Sequence, residues 1–288
     1  VGEAILGIIG GSGLYDIEGL EERREVAVET PFGAPSDPYL TGVLDGVRVA
    51  FLARHGAGHR LLPSEINYRA NIHGFRQLGA RHLLGFSAVG SLRDDIHPGD
   101  LVLPDQYFDR TKGRPATFFG DGLVAHAAFG DPVCPCLGEA LAQTLGELGA
   151  THHRGGTYVC IEGPMFSTRA ESVFYRALGA SVIGMTNLPE AKLAREAEMC
   201  YASLALATDY DCWHASEAAV SVDAVLKVFR QNIATARRAI RGLVRRFPPA
   251  GTCACQSALE GAVMTAPERI PAEARERLAL LLARFFQR

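Results

Sequence analysis

The chain has no surplus of charge of either sign: 29 lysines and arginines stand against 32 aspartates and glutamates, a formal net charge of −3. That excludes a strongly basic nucleic-acid binder, though not a local patch. No apolar run approaches the roughly 18 residues that span a bilayer, and no charged leader with an apolar segment precedes the first motif. The expectation is a cytoplasmic protein without a membrane partner. Cysteines are few and odd in number, seven in 288 residues. Scattered as they are, they do not make the disulfide framework of a small secreted protein. Two Cys-x-Cys pairs occur, Cys134 with Cys136 and Cys253 with Cys255. Zinc sites more often separate their cysteines by about two to four residues and need four ligands. Reduced thiols are expected, with a strained local disulfide between Cys253 and Cys255 as the other reading. There is also no Gly- or Ser-rich linker and no repeat of fixed period, so residues 1–288 read as a single domain. Hydrophobic residues make up 48% of the chain, enough for a core that needs no disulfide or metal.

What is present is an alternation of short apolar runs with helical ones. Ala4–Ile9, Arg48–Ala53, His82–Ala88, Thr157–Ile161, Ser181–Gly184 and Tyr201–Ala207 read as strands. Between them, helices are expected from Pro63 to about Leu78, through Leu137, Leu141, Leu145 and Leu148, from Arg169 to Leu178, and from Pro189. Ser221 is placed to cap a last long helix bearing Val225, Phe229, Ile233, Ala236, Ile240 and Leu243 on one face. After Pro248-Pro249 the patterns weaken and the C-terminal tail is expected to wander. The fold class is α/β, a central mixed β-sheet flanked by helices.

Polar residues gather where the strands stop, which is where open α/β sheets hold their ligands. Gly10-Gly11-Ser12-Gly13 follows the first strand. It matches neither the dinucleotide fingerprint nor a P-loop, and reads equally as an anion cradle or a tight turn. Arg54-His55-Gly56, with His59 and Arg60 beyond, reads as an anion site or a surface pair. Ser87-Ala88 and Met185-Thr186 offer hydroxyls and amides at two further strand ends. In Glu162–Ser167 the acid could accept from sugar hydroxyls and Phe166 could stack on a flat ring; a buried acid and a core aromatic are the alternative. Thr208-Asp209-Tyr210-Asp211 sets two carboxylates two apart, on one face if the chain is extended. Close carboxylates drive their pKa values apart, so one can hold a proton at neutral pH. A divalent-metal site is the lesser reading.

In their order these segments resemble the trimeric purine nucleoside phosphorylase family. The likeness is closest to its branch that acts on S-methyl-5'-thioadenosine. It rests on Gly10–Leu14, Thr30-Pro31-Phe32-Gly33, Leu52–Gly56, Asn67–Asn71, Gly90-Ser91-Leu92, Pro98-Gly99-Asp100, Glu162-Gly163-Pro164, Gly184-Met185-Thr186, Pro189-Glu190 and Ala207–Trp213, and covers roughly positions 5 to 245. The resemblance implies phosphorolysis of a nucleoside to a purine and a sugar 1-phosphate, without metal or organic cofactor. It also implies a homotrimer, or a dimer of trimers. It places Ser12, Arg54, His55, Ser87, Ala88 and Thr186 around phosphate, and Met185 against the ribose. Phe166, Ser167, Asp209 and Asp211 would surround the base. Val222, Val225, Leu226 and His59 would form the 5'-methylthio pocket, and His126 would be lent to a neighbouring subunit. Met165 departs from the pattern, standing where many relatives have Arg.

Breaking the glycosidic bond builds positive charge on the sugar and negative charge on the purine. A fixed phosphate stabilises the first, and a proton at N7 the second. Asp209 is the candidate donor, with Asp211 reading a 6-amino group, or the reverse. The expected reaction is phosphorolysis of S-methyl-5'-thioadenosine in purine and methionine salvage. Alternatives are a phosphorylase for inosine, guanosine or methylthioinosine, and a nucleoside-sensing protein without catalysis. Arg230, Arg237, Arg238, Arg241, Arg245 and Arg246 read as the solvated side of a helix rather than a nucleic-acid surface.

Overall fold

The computed structural model describes residues 5–214, 222–246 and 253–286; the side chains of Ser12, 222–227 and 229–231 lie outside the description. The first apolar run is β1 (Ile5–Gly10), buried along its whole length. Ile5 and Ile9 enter one apolar cluster and Leu6 and Ile8 another, on the opposite face of the sheet. Burial on both faces is why this run is continuous rather than alternating. The same holds for β4 (Val47–Ala53), β5 (Ala80–Ser91) and β11 (Cys200–Asp209). In β11, Tyr201, Ala205 and Ala207 face one cluster while Ala202, Leu204 and Leu206 face the other.

These four strands are parallel neighbours, with β1 between β4 and β5 and β11 on the other flank of β5. Around them lie β2 (Leu20–Val26), β3 (Tyr39–Leu44), β6 (Leu101–Leu103), β7 (Gln106–Arg110), β8 (His152–Arg154), β9 (Thr157–Ile161) and β10 (Val182–Gly184). Together they form one mixed 11-stranded sheet, ordered β2-β3-β4-β1-β5-β10-β9-β7, with β11, β6 and β8 branching from β5. One face is covered by α1 (Tyr68–Gln77) and α4 (Asn187–Glu196), the other by α2 (Pro135–Glu147) and α5 (Val222–Val244). A smaller apolar cluster lies under α3 (Arg169–Ala177), which Thr168 and Glu171 cap reciprocally.

Two expectations change. The helix expected from Pro63 begins at Tyr68, because Asn67 accepts the N–H of Ala70 and Leu62–Glu65 closes as a separate turn. The helix expected from Pro189 holds, since Leu188 just before it has non-helical dihedrals and the regular part of α4 opens at the proline. The C-terminal tail does not wander: from Cys253 it forms short turns with α6 (Ala272–Arg277) and α7 (Ala283–Phe286). Leu259, Ile270, Leu278 and Leu282 are buried in the core. Apolar residues carried on successive short turns leave no single period in the sequence. The expected cap Ser221 lies outside the described residues.

The long strand β5 shapes the site. Its β11 flank is paired as far as Gly90, whereas on the other flank β1 stops pairing at Gly85 and β10 starts at Gly90. Between these points Phe86, Ser87, Ala88 and Val89 face a gap where β1 and β10 diverge, and all four line a cavity.

Candidate active site

That cavity measures roughly 420 Å³, within the range of small-molecule sites. One wall begins where β4 ends. Arg54, 2% exposed, meets the fully buried Glu190 of α4 through two parallel bonds, Nε to Oε2 at 2.8 Å and Nη2 to Oε1 at 3.0 Å. Tyr201 of β11 donates to the same carboxylate at 2.8 Å. Nη1 and Nη2 also donate to the carbonyls of Phe86 and Ile9. Of the five guanidinium N–H groups, one on Nη1 is left without a partner among the described residues. The cation is thus held rigidly at the cavity wall with one donor in reserve.

His55 lies beside it. Burial pushes its pKa down to about 4, so the ring is neutral near pH 7. Nδ1 is 2.9 Å from the Leu61 carbonyl, which only accepts, so Nδ1 carries the proton and Nε2 the lone pair. The ring stacks on His59, with centroids 4.2 Å apart. Ser87 is buried and its Oγ makes no hydrogen bond among the described residues. Thr186 precedes α4 and is buried, yet its hydroxyl caps no helix N–H. Buried polar groups without partners at a cavity wall are groups a ligand can satisfy.

The far wall is the end of β11. Here the expectation of an extended Asp209–Asp211 pair fails. The strand ends at Asp209, and Asp211 has φ +49°. The chain turns so that the Asp211 N–H donates to Asp209 Oδ1 at 2.8 Å, while Thr208 Oγ1 donates to Oδ2 at 2.8 Å. A tight turn, not strand alternation, brings both carboxylates to the cavity. Burial raises both pKa values, and the Asp211 charge adds a smaller upward push on Asp209. Asp211 Oδ2 and Ser167 Oγ are buried without hydrogen-bond partners among the described residues. Gly90 makes room for the pair, since a Cβ there would stand 3.0 Å from Asp209 Oδ1 and 3.1 Å from Asp211 Cβ.

Arg54, His55, His59, Ser87, Ala88, Phe166, Ser167, Met185, Thr186, Asp209 and Asp211 therefore line one cavity. Phe166 is 48% exposed, so it is a rim residue rather than a core aromatic. Its neighbour Met165 is 82% exposed and does not line the cavity. His126 is exposed on the segment after β7 and is also outside the lining. The side chains of Ser12, Val222, Val225 and Leu226 lie outside the description; Gly11 represents the first loop at the wall. Glu162, read as an acceptor for sugar hydroxyls, does not line the cavity; its carboxylate accepts from the Lys112 N–H and from Arg114 Nε at 3.2 Å.

The sequence reading missed Glu190 and Arg114. Arg114 Nη1 donates to the Met185 and Leu188 carbonyls at 2.7 and 2.9 Å and to Tyr68 Oη at 3.1 Å. It fixes the backbone on both sides of Thr186. Neither residue touches the cavity, and only a buried charge with a partner far along the chain would have revealed them.

The chain matches the model of the phosphorylase superfamily over residues 5–246, and it belongs to that superfamily. It is 59% identical over 284 residues to the S-methyl-5'-thioadenosine phosphorylase of Geobacter sulfurreducens, an alignment covering 98% of this chain and 99% of that one. The enzyme of the same name from Koribacter versatilis is 53% identical, with 99% and 97% covered. Among solved structures, a methylthioadenosine phosphorylase from an antarctic soil metagenomic library superposes with a TM-score of 0.92 at 49% identity, covering 97% of this chain and 99% of that one. Methylthioadenosine phosphorylase from Schistosoma mansoni in complex with adenine gives 0.81 at 38% identity, with 84% and 91% covered.

Proposed function

We propose that the protein is a pentosyltransferase that cleaves S-methyl-5'-thioadenosine with inorganic phosphate. The products are adenine and S-methyl-5-thio-α-D-ribose 1-phosphate, which enter purine and methionine salvage. The observation that carries this reading is one cavity with a rigid arginine and idle hydroxyls at one wall and a carboxyl of raised pKa at the other. The relatives named above supply the substrate class.

Phosphate is taken by the spare N–H of Arg54, the hydroxyls of Ser87 and Thr186, and the backbone at Gly11–Ser12 and Ala88. Glu190 fixes the guanidinium beforehand, so the arginine needs no reorientation when the anion arrives. Phosphate attacks C1' as the bond to the purine breaks, and Asp209 delivers its proton to N7. A buried carboxyl whose pKa is raised is suited to that transfer, because the developing purine anion is the stronger base. Asp211, with an unsatisfied oxygen, accepts from the 6-amino group; a 6-oxopurine would set oxygen against oxygen. Phe166 covers the base from the rim, and Met185 lies against the ribose. The thioether is received at the end of the cavity lined by His59, Leu61 and Leu62; Val222, Val225 and Leu226 are assigned to the same pocket by the family resemblance alone. Nothing in this scheme calls for a metal or organic cofactor.

The active form is a homotrimer, alone or paired as two trimers. The exposed His126, outside its own subunit's cavity, is the residue each subunit lends to the next. The enzyme works in the cytoplasm. The test is release of free base from methylthioadenosine, adenosine and inosine, each with and without phosphate. Phosphate-dependent release, fastest from methylthioadenosine, is expected; dominant turnover of inosine would refute the specificity.

A further inference from the structure

Strand β11 ends at the cavity with Asp209, but it begins with Cys200. There the fold gathers four cysteines from three segments. Cys134 is the N-terminal cap of α2, and Cys253 and Cys255 come from the start of the C-terminal segment. All four are buried, and their Sγ atoms lie within 4.8 Å of one another, with Cys134 and Cys253 at 3.5 Å. Four sulfurs bound tetrahedrally at about 2.3 Å from zinc stand roughly 3.8 Å apart. The cluster therefore has the size of a tetrathiolate cage before any ion enters it.

The surroundings fit charged sulfur rather than four neutral thiols. The Leu137 N–H points to Cys134 Sγ at 3.4 Å, and the Gln256 side-chain amide to Cys200 Sγ at 3.5 Å. Donors to ligand sulfur are the supporting contacts that metal thiolates require. Cys134 also sits at the positive end of α2, which favours a thiolate. Cys136, two residues further on, is exposed and outside the group. The spacing along the chain concealed the cluster, because only one of the two Cys-x-Cys pairs contributes both sulfurs.

We propose that Cys134, Cys200, Cys253 and Cys255 bind one divalent cation of the zinc type in a structural site remote from the reaction. Binding exchanges four thiol protons, released to solvent, for one Zn²⁺, with no change of oxidation state; the site then carries two negative charges, which the N–H donors and the helix end offset. Its role is to fasten the C-terminal segment to the body of the subunit. That segment in turn braces the stretch bearing His126: Ala125 bridges Val263, the Met264 N–H donates to the Val124 carbonyl, and the His126 N–H donates to the Ala262 carbonyl, both at 2.9 Å.

The test uses the intact protein, purified under reducing conditions without chelator, with metal content measured by elemental mass spectrometry. About one zinc per chain is expected, together with the visible spectrum of a tetrahedral cobalt thiolate after exchange with Co²⁺. Cys253→Ser should reduce metal content to near zero, whereas Cys136→Ser should leave it unchanged. A wild-type chain that, fully reduced, takes up neither zinc nor cobalt overturns the proposal, even if Cys253→Ser fails to fold. So does uptake that persists in a folded Cys253→Ser variant. Two disulfides among the four sulfurs, with no uptake after reduction, also overturn it, and a red protein carrying iron overturns the assignment to zinc.

Discussion

A single carboxyl carries most of the proposed chemistry. Asp209 is held by two hydrogen bonds, from Thr208 Oγ1 and the Asp211 N–H, in a buried setting that raises its pKa. Asparagine would preserve the shape and lose the proton. Asp209→Asn should lower kcat by about 10²–10⁴-fold, the usual share of a positioned general acid. Phosphate binding, measured by calorimetry, should be largely unchanged; an unaltered kcat would remove Asp209 from the mechanism. Glu190 acts at one remove, as a positioning residue. With 0% exposure it balances a guanidinium that is itself 2% exposed. Glu190→Gln leaves that charge uncompensated and should cost about 3–5 kcal/mol of stability, the usual penalty for halving a buried ion pair. Denaturant unfolding measures it. Because Arg54 also loses its fixed orientation, the KM for phosphate should rise in whatever fraction remains folded.

At the scale of elements, the sequence was most legible where burial is two-sided. The continuous apolar runs of β1, β4, β5 and β11 announce themselves, and so do the polar loops at their ends. By contrast β2, Leu-Glu-Glu-Arg-Arg-Glu-Val, is an edge strand exposed along most of its length, so it has neither alternation nor a run to read. The three-residue strands β6 and β8 are too short to carry a period. The Asp209–Asp211 turn was illegible for another reason: aspartate enters the positive-φ region more readily than most residues but still only seldom, so the residue type alone does not announce the turn. What the sequence does show at that turn is Gly90 on the neighbouring strand, whose meaning appears only in three dimensions. Gly90→Ala would thrust a methyl against the Asp209 carboxylate and the Asp211 Cβ. The strand itself tolerates alanine, so stability should change little while kcat/KM falls by about ten- to a hundredfold. Steady-state kinetics beside a thermal melt separates the two effects.

Across the whole molecule, folding confines several groups to the neutral form, and this links stability to pH. Burial pushes His55 and His82 down to about 4 and also lowers His73. Above the ordinary histidine pKa of about 6.5 both the folded and unfolded chains leave these rings unprotonated, so their contribution to stability is complete. As pH falls below that value the unfolded chain takes up protons that the native chain refuses. Stability is then lost until the folded values near 4 are reached. The carboxyl groups of Glu196, raised to about 6, and of Asp209 and Asp211 work in the opposite sense. The native chain protonates them while the unfolded chain still holds them ionised, so they favour folding as the solution becomes more acid. The two histidines shift further than Glu196, and the balance favours loss. Urea unfolding should give a free energy lower by about 2 kcal/mol at pH 5 than at pH 7.5. A stability maximum near pH 5 would mean that the carboxyl groups prevail and that the buried histidines are open to water.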